Sequence, residues 1–173
     1  MTVLKGSAIA SFVAAPAHKT KAVLVHGPDA GRVHEVAAGI VRAAAGSLDD
    51  PFRVANLSDS SLAADPALLA DEARSLSLLG GRRIVWVAPA GRGFQGAIEA
   101  YLADPGGDAL IVAEAAALPK SSKLRALFEK SKQAAAIACY EDSAEDLRAL
   151  VDRAAAQANL AISDDVVEHL IDR

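Results

Sequence analysis

Five short apolar runs alternate along the sequence with segments that carry apolar residues at helical spacing. The run at residues 84–87, Ile-Val-Trp-Val, is apolar at every position, which is typical of a parallel strand buried on both faces. This alternation predicts an α/β fold, in which helices cover both faces of a five-stranded, mainly parallel sheet. The predicted strands are residues 22–26, 51–57, 82–88, 109–113 and 134–139, and the predicted helices are residues 7–15, 30–45, 67–75, 93–102 and 120–132.

Aromatic residues make up only 4% of a chain that is 52% hydrophobic, so its core has to be built from Ala, Val, Leu and Ile. The single cysteine, Cys139, cannot form an internal disulfide, and we expect it to be a small core residue in a reducing cytoplasm. The four histidines show no metal-ligand spacing. Because neither a targeting segment nor a membrane-length apolar run is visible, we expect a cytoplasmic protein with no membrane partner.

After Tyr140 the pattern changes from strands to helices alone, over residues 143–158 and 163–173. The capping pattern of Ser143 with Asp146, and Ser163 before two acids, predict where these helices begin. The sequence therefore predicts an α/β domain at residues 1–141 and a helical part at residues 142–173. The helices either fold back onto the sheet or begin an incomplete second domain, and the second interpretation is favoured because two short helices seldom bury their apolar faces alone.

A glycine turn, Gly27 to Gly31, lies between the first predicted strand and a helix, as in a phosphate-binding loop. The positions expected to read Gly-Lys-Ser/Thr read Gly31-Arg32-Val33, so the lysine for the phosphates and the hydroxyl for magnesium are missing. Residues 88–90 hold no carboxylate, and Glu114 is a single acid. We therefore expect Gly27, Gly31 and Arg32 to form a degenerate, structural loop, with no catalytic residue, cofactor or metal. A divergent P-loop ATPase or kinase remains the alternative.

Two adjacent leucines, Leu78 and Leu79, directly precede Gly80-Gly81 in the turn between a helix and a strand. Both cannot face inward on so short a turn, and an exposed leucine pair can anchor in an apolar pocket of another protein. The basic cluster at residues 120–132 is first interpreted as a solvated helix face, with contact to an acidic partner or nucleic acid as the alternative.

Several segments together resemble the N-terminal portion of the bacterial DNA polymerase III delta subunit, a clamp-loader protein. The segments that carry this resemblance are Leu24-Val-His-Gly-Pro-Asp-Ala-Gly31, Asp50-Pro-Phe-Arg-Val54, Leu68-Leu-Ala-Asp-Glu-Ala73, Ser77-Leu-Leu-Gly-Gly-Arg-Arg83, Pro119-Lys-Ser-Ser-Lys-Leu-Arg125 and Ala136-Ile-Ala-Cys-Tyr140. The resemblance covers essentially the whole chain. It implies an AAA+-like module without catalysis, followed from about residue 142 by an incomplete helical lid.

In that family a Ser-Leu-Phe element inserts into a pocket of the sliding clamp, the beta subunit, and helps to open the ring during DNA replication. The matching residues are Ser77, Leu78 and Leu79, with Leu79 in place of the aromatic residue and Arg74 in place of a preceding glutamine. The resemblance further implies contacts of the full-length protein with other clamp-loader subunits and an indirect contact with DNA. It implies a non-catalytic subunit of the DNA polymerase III holoenzyme. A structural adaptor that never contacts a clamp is a further alternative.

Overall fold

The computed structural model describes residues 3–4, 7–16, 18–75, 80–140, 148, 151–152, 154–156, 158, 160 and 162–171. The chain divides into two compact units, Met1–Cys139 and Tyr140–Arg173. The second unit contains the helix Asp164–Ile171, at whose start Val166 and Val167 donate backbone hydrogen bonds to the Ser163 carbonyl, each 3.1 Å long. The predicted cap of Ser143 and Asp146 lies outside the described residues. The interpretation of this unit as an incomplete lid stays a prediction.

The described part of the first unit alternates strands and helices. Its elements are β1 Val3–Leu4, α1 Ser7–Ala14, β2 Ala22–His26, α2 Ala30–Ala45, β3 Val54–Leu57, α3 Asp59–Ala64, α4 Ala67–Arg74, β4 Ile84–Val87, α5 Arg92–Ala103, β5 Leu110–Ala115, α6 Lys123–Lys130 and β6 Ala134–Ala138. The strands form one sheet in the order β1-β6-β2-β5-β4-β3, and every neighbouring pair is parallel. The predicted α/β class is confirmed.

All five predicted strands are present, and the structure adds two short elements that periodicity did not indicate. Strand β1 has two residues, too few to show a pattern, and α3 has six. A capping box begins α3, since the Ser58 side chain accepts from the Ser61 N–H while the Ser61 hydroxyl accepts from the Ser58 N–H.

The predicted strand at residues 51–57 begins three residues later than expected, at Val54. The reason is Asp50, whose carboxylate accepts the Phe52 N–H at 2.9 Å and whose carbonyl accepts the Val54 N–H at 2.8 Å. These bonds hold residues 51–53 in a turn, so Phe52 is not part of the sheet.

Helices cover both faces of the sheet, as predicted. Alternate strand residues point to opposite faces, so Val23, Trp86 and Val112 pack with α1 and α2, whereas Val85 and Ile111 pack with α3 to α6. The core is mainly aliphatic, and its few aromatic residues include the pair Phe94 and Phe128, with ring centroids 6.3 Å apart. Cys139 is buried, as predicted.

Because all strands run the same way, the sheet has two chemically different ends. At its carboxyl end the strands finish and α2, α3, α5 and α6 begin. At its amino end the helices finish and the strands begin. We use "carboxyl end" and "amino end" for these two sides of the molecule.

Candidate functional site

The connection between β2 and α2 is three residues long, Gly27 to Asp29. Gly27 donates its N–H to the Ala115 carbonyl at 3.3 Å. A Cβ atom on Gly27 would lie 2.0 Å from the Cys139 carbonyl oxygen, so no other residue fits without a backbone shift. Gly27 therefore lets β2 approach the residue that follows β6.

The N-terminus of α2 is capped from within the chain. Asp29 has extended backbone angles, φ −91° and ψ 103°, and its Oδ1 accepts the Arg32 N–H at 3.1 Å. In a phosphate-binding loop, N–H groups of this first turn hold the anion. Here the Asp29 carboxylate takes that N–H and adds a negative charge that would repel a phosphate.

Gly31 and Arg32 belong to the first turn of α2 rather than to a loop. The spacing explains this, since Gly27 and Gly31 are separated by three residues and a phosphate-binding loop has four between its glycines. This missing residue was visible in the sequence. The connection is therefore one residue shorter than a phosphate-binding loop.

The N-terminus of α5 is also capped by a carboxylate, from a different helix. Asp59 Oδ1 accepts the Gly91 N–H at 2.9 Å and the Phe94 N–H at 2.8 Å. Gly91 itself offers no side chain as a cap. The acid of α3 thus performs for α5 the role that Asp29 performs for α2.

Glu114, the single acid at the end of β5, belongs to a cluster with Trp86 and His34. The Trp86 indole N–H donates to Glu114 Oε1 at 2.8 Å, and His34 Nδ1 lies 3.1 Å from the same oxygen. The two rings stack, with centroids 5.4 Å apart and an angle of 18° between their planes. The Glu114 side chain is only 12% exposed. The Glu114 carboxylate is therefore engaged within this packed cluster by Trp86 and His34.

The sequence does not predict this cluster, because its members are far apart along the chain. His34 and Glu114 are 80 residues apart, and Trp86 and Glu114 are 28 apart. They meet because β5 lies between β2 and β4 in the sheet. No spacing motif carries that information.

His26 ends β2 and is almost completely buried. Burial lowers the pKa of its imidazole, and the positive charge of Arg125 lowers it further, against an opposing effect of Glu129. Arg125 donates to Glu129 at 2.7 Å within α6. In the part of the chain that the structure describes, no group of three or more His, Cys, Asp or Glu residues could hold a metal ion.

The predicted partner-binding residues Ser77, Leu78 and Leu79 lie outside the described residues, so they remain a prediction. The structure does describe the chain on either side of them. Ser75 ends α4, and its hydroxyl donates to the Asp71 carbonyl at 2.9 Å. Gly80 and Gly81 have φ angles of 73° and 83°, which favour glycine. Both flanks lie at the amino end.

The two arginines that follow these glycines donate hydrogen bonds to nearby carbonyl groups, and Arg83 also to a carboxylate. Arg82 Nε donates to the Asp108 carbonyl at 2.9 Å, and its Nη2 donates to the Thr20 carbonyl. Arg83 donates to the Phe52 carbonyl at 3.0 Å and to the Glu72 carboxylate at 2.5 Å. Burial lowers the pKa of the Arg82 guanidinium, although nearby Asp108 opposes this.

The basic cluster around α6 lies on its outer surface. Four of its lysines are exposed, namely Lys120, Lys123, Lys130 and Lys132. The fifth cation, Arg125, packs against Glu129. This arrangement agrees with the solvated face expected from the sequence.

Among the described helices, none combines the length and the apolar character that a membrane span requires. No family model matches the chain, and no curated protein matches it in sequence.

Solved structures do match its fold. The DNA clamp loader delta protein of Bacillus subtilis matches with a TM-score of 0.61 and 18% identity, over 94% of this chain and 50% of that one. A DNA polymerase III gamma subunit-related protein of Thermotoga maritima has a TM-score of 0.49 and 15% identity, over 78% of this chain and 45% of that one. A RuvB variant from Thermotoga maritima has a TM-score of 0.43 and 12% identity, over 94% and 52%.

The chain spans about half the length of these proteins. At 18% identity, the match to the clamp loader delta protein is a match of fold. The resemblance to the clamp-loader delta subunit predicted from the sequence is therefore confirmed as a likeness of fold, in the α/β class.

Proposed function

We propose that this chain is part of a non-catalytic clamp-loader subunit of the replicative DNA polymerase, which binds the sliding clamp and helps to open it. The fold it shares with the clamp loader delta protein supports this role. In the full-length protein we expect contacts with other clamp-loader subunits, an indirect contact with DNA, a cytoplasmic location and a lid that begins near residue 142.

The observation that carries the non-catalytic part of the proposal is the cap of α2. Asp29 takes the N–H that would hold a phosphate, and the loop before it is one residue short. A carboxylate fixed by the helix N-terminus is stabilised there. Nucleotide binding would have to displace it.

We assign the clamp contact to Ser77, Leu78 and Leu79, on the basis of the family resemblance. Burial of two leucines contributes roughly 3–6 kcal/mol before the costs of association. Nanomolar binding requires about 12 kcal/mol net. The neighbouring surface must therefore supply a substantial part of the affinity.

Titration of the chain with a purified sliding clamp tests the proposal. The double variant Leu78→Ala/Leu79→Ala is expected to lose clamp binding by about 100-fold and to keep its thermal stability, because two anchors are removed. Leu160→Ala is the matched control, since Leu160 is a 62% exposed leucine in the other unit. Unchanged affinity of the double variant would exclude the assigned contact.

Two further measurements sharpen this test. Leu79→Phe restores the aromatic residue of the family and is expected to tighten clamp binding about 10-fold. Calorimetry with magnesium and ATP is expected to give no binding heat. Magnesium-dependent ATP binding would instead support the divergent ATPase or kinase.

A further inference from the structure

Phe52 is a large apolar side chain left in solvent. It is 52% exposed, and among the described residues of the first unit it is the one large hydrophobic residue in that state. Bulky side chains elsewhere in this unit, such as Phe94 and Phe128, are fully buried. An exposed single apolar residue needs no explanation by itself. Its setting is what distinguishes Phe52.

The turn that carries Phe52 is held from both sides. Within it, the Asp50 carboxylate accepts the Phe52 N–H at 2.9 Å and the Asp50 carbonyl accepts the Arg53 N–H at 3.1 Å. From outside, Arg83 donates to the Phe52 carbonyl at 3.0 Å. A partner that contacts the ring meets a backbone that is already ordered, so less conformational entropy is lost on binding.

This turn also lies beside the flank of the proposed clamp-binding residues. Strands β3 and β4 are paired with Val54 opposite Ile84, so the residues before each strand share the amino end. The Ile84 N–H donates to the Arg53 carbonyl at 2.7 Å. A Cβ on Gly81 would lie 3.3 Å from the Arg53 guanidinium carbon. The turn at 50–53 and the loop at 80–83 thus form one continuous surface.

We propose that Phe52 is a second apolar anchor for the sliding clamp, on the surface formed by residues 50–53 and 80–83. This inference rests on the proposed function. The ring supplies an aromatic contact next to the flank of a binding element that has Leu79 where the family has an aromatic residue. The ring also adds apolar contact area, which Leu78 and Leu79 alone do not supply in the amount that tight binding requires.

The test compares clamp affinities of four proteins: the unaltered chain, Phe52→Ala, Phe52→Tyr and Leu160→Ala. We expect Phe52→Ala to weaken binding about 10-fold, and Phe52→Tyr, which keeps the ring, to stay within about two-fold. Leu160→Ala should bind like the unaltered chain. Thermal unfolding of Phe52→Ala should match the unaltered chain, because the ring is half exposed.

The outcomes separate the two proposals. If the unaltered chain binds the clamp and Phe52→Ala binds equally well, the second anchor is wrong and the proposed function stands. If the unaltered chain does not bind the clamp, both are wrong.

Discussion

The two ends of the sheet are stabilised by different kinds of hydrogen bond. At the carboxyl end, side-chain oxygens accept backbone N–H groups where helices begin. The capping residues are Asp29 for α2, Ser58 for α3, Asp59 for α5 and Ser122 for α6. At the amino end, cations donate to backbone carbonyls. These cations are Lys21, Arg53, Arg82 and Arg83, with Arg53 bonded to the Ala45 carbonyl at the last residue of α2.

The direction of the helix dipoles agrees with part of this difference, namely the acids Asp29 and Asp59 at helix N-termini and Arg53 at the end of α2. Helices of a parallel α/β fold begin at the carboxyl end and finish at the amino end, so acids are stabilised at the first and bases at the second. Ligands of such folds are usually bound at the carboxyl end. In this chain, four helix N-termini at that end are already capped by its own side chains. Phe52 and the described flanks of the proposed clamp contact, Ser75 and Gly80-Gly81, are at the amino end.

The largest effect is expected from a change at the carboxyl end, Gly27→Ala. The new Cβ would lie 2.0 Å from the Cys139 carbonyl oxygen, and relief requires a shift of the backbone after β6. We expect the free energy of unfolding to fall by about 3 kcal/mol, as measured by urea denaturation.

Gly96→Ala is the matched control, since a Cβ at Gly96 meets nothing within 4 Å. In the middle of α5 it should stabilise the chain by roughly 0.5–1 kcal/mol. Equal stability of the two variants would show that β2 and the chain after β6 can separate at no cost. In that case the close approach of β2 to Cys139 would not depend on Gly27.

The second effect concerns the amino end, where Arg82→Met removes a cation from the carbonyls of Asp108 and Thr20. The variant loses hydrogen bonds from a charged donor, and partly buried carbonyls are left without that donor. We expect the free energy of unfolding to fall by about 2 kcal/mol. Chemical denaturation measures it. Arg92→Met, at an exposed arginine on the first turn of α5, should change stability by less than about 0.5 kcal/mol. A loss of similar size in both variants would contradict the role given to Arg82.

The sequence was sufficient to predict five of the six strands of the sheet, because each of those five is a local apolar run and each long helix a local period. It was also sufficient to show that the loop after β2 lacks the residues of an active one. The Asp29 cap also depends only on neighbouring residues, since an aspartate before an apolar helical period is a helix-start signal. Features of this kind need only neighbouring residues.

Features that depend on the order of strands could not be found in this way. The cluster of Trp86 with Glu114 exists only because β4 and β5 are neighbours. Phe52 looked like a strand residue, and its exposure follows from hydrogen bonds to Asp50 and Arg83. Apolar character predicts burial on average, but it does not show which apolar side chain the tertiary structure leaves outside.

The smallest effect of the series is expected at Asp59, an acid of α3 that caps the N-terminus of another helix, α5. Asp59→Ala removes the acceptor of the Gly91 and Phe94 N–H groups at the start of α5. We expect the free energy of unfolding to fall by about 1.5 kcal/mol, as for loss of a strong helix cap. Asp59→Asn, which keeps one acceptor oxygen but not the charge, should recover roughly half of that loss. Asp49→Ala is the control, because Asp49 is exposed in the loop after α2. If Asp59→Ala unfolds at the same denaturant concentration as Asp49→Ala, water replaces the carboxylate at no cost. The stability of the carboxyl end would then depend on packing around Gly27 rather than on its capping acids.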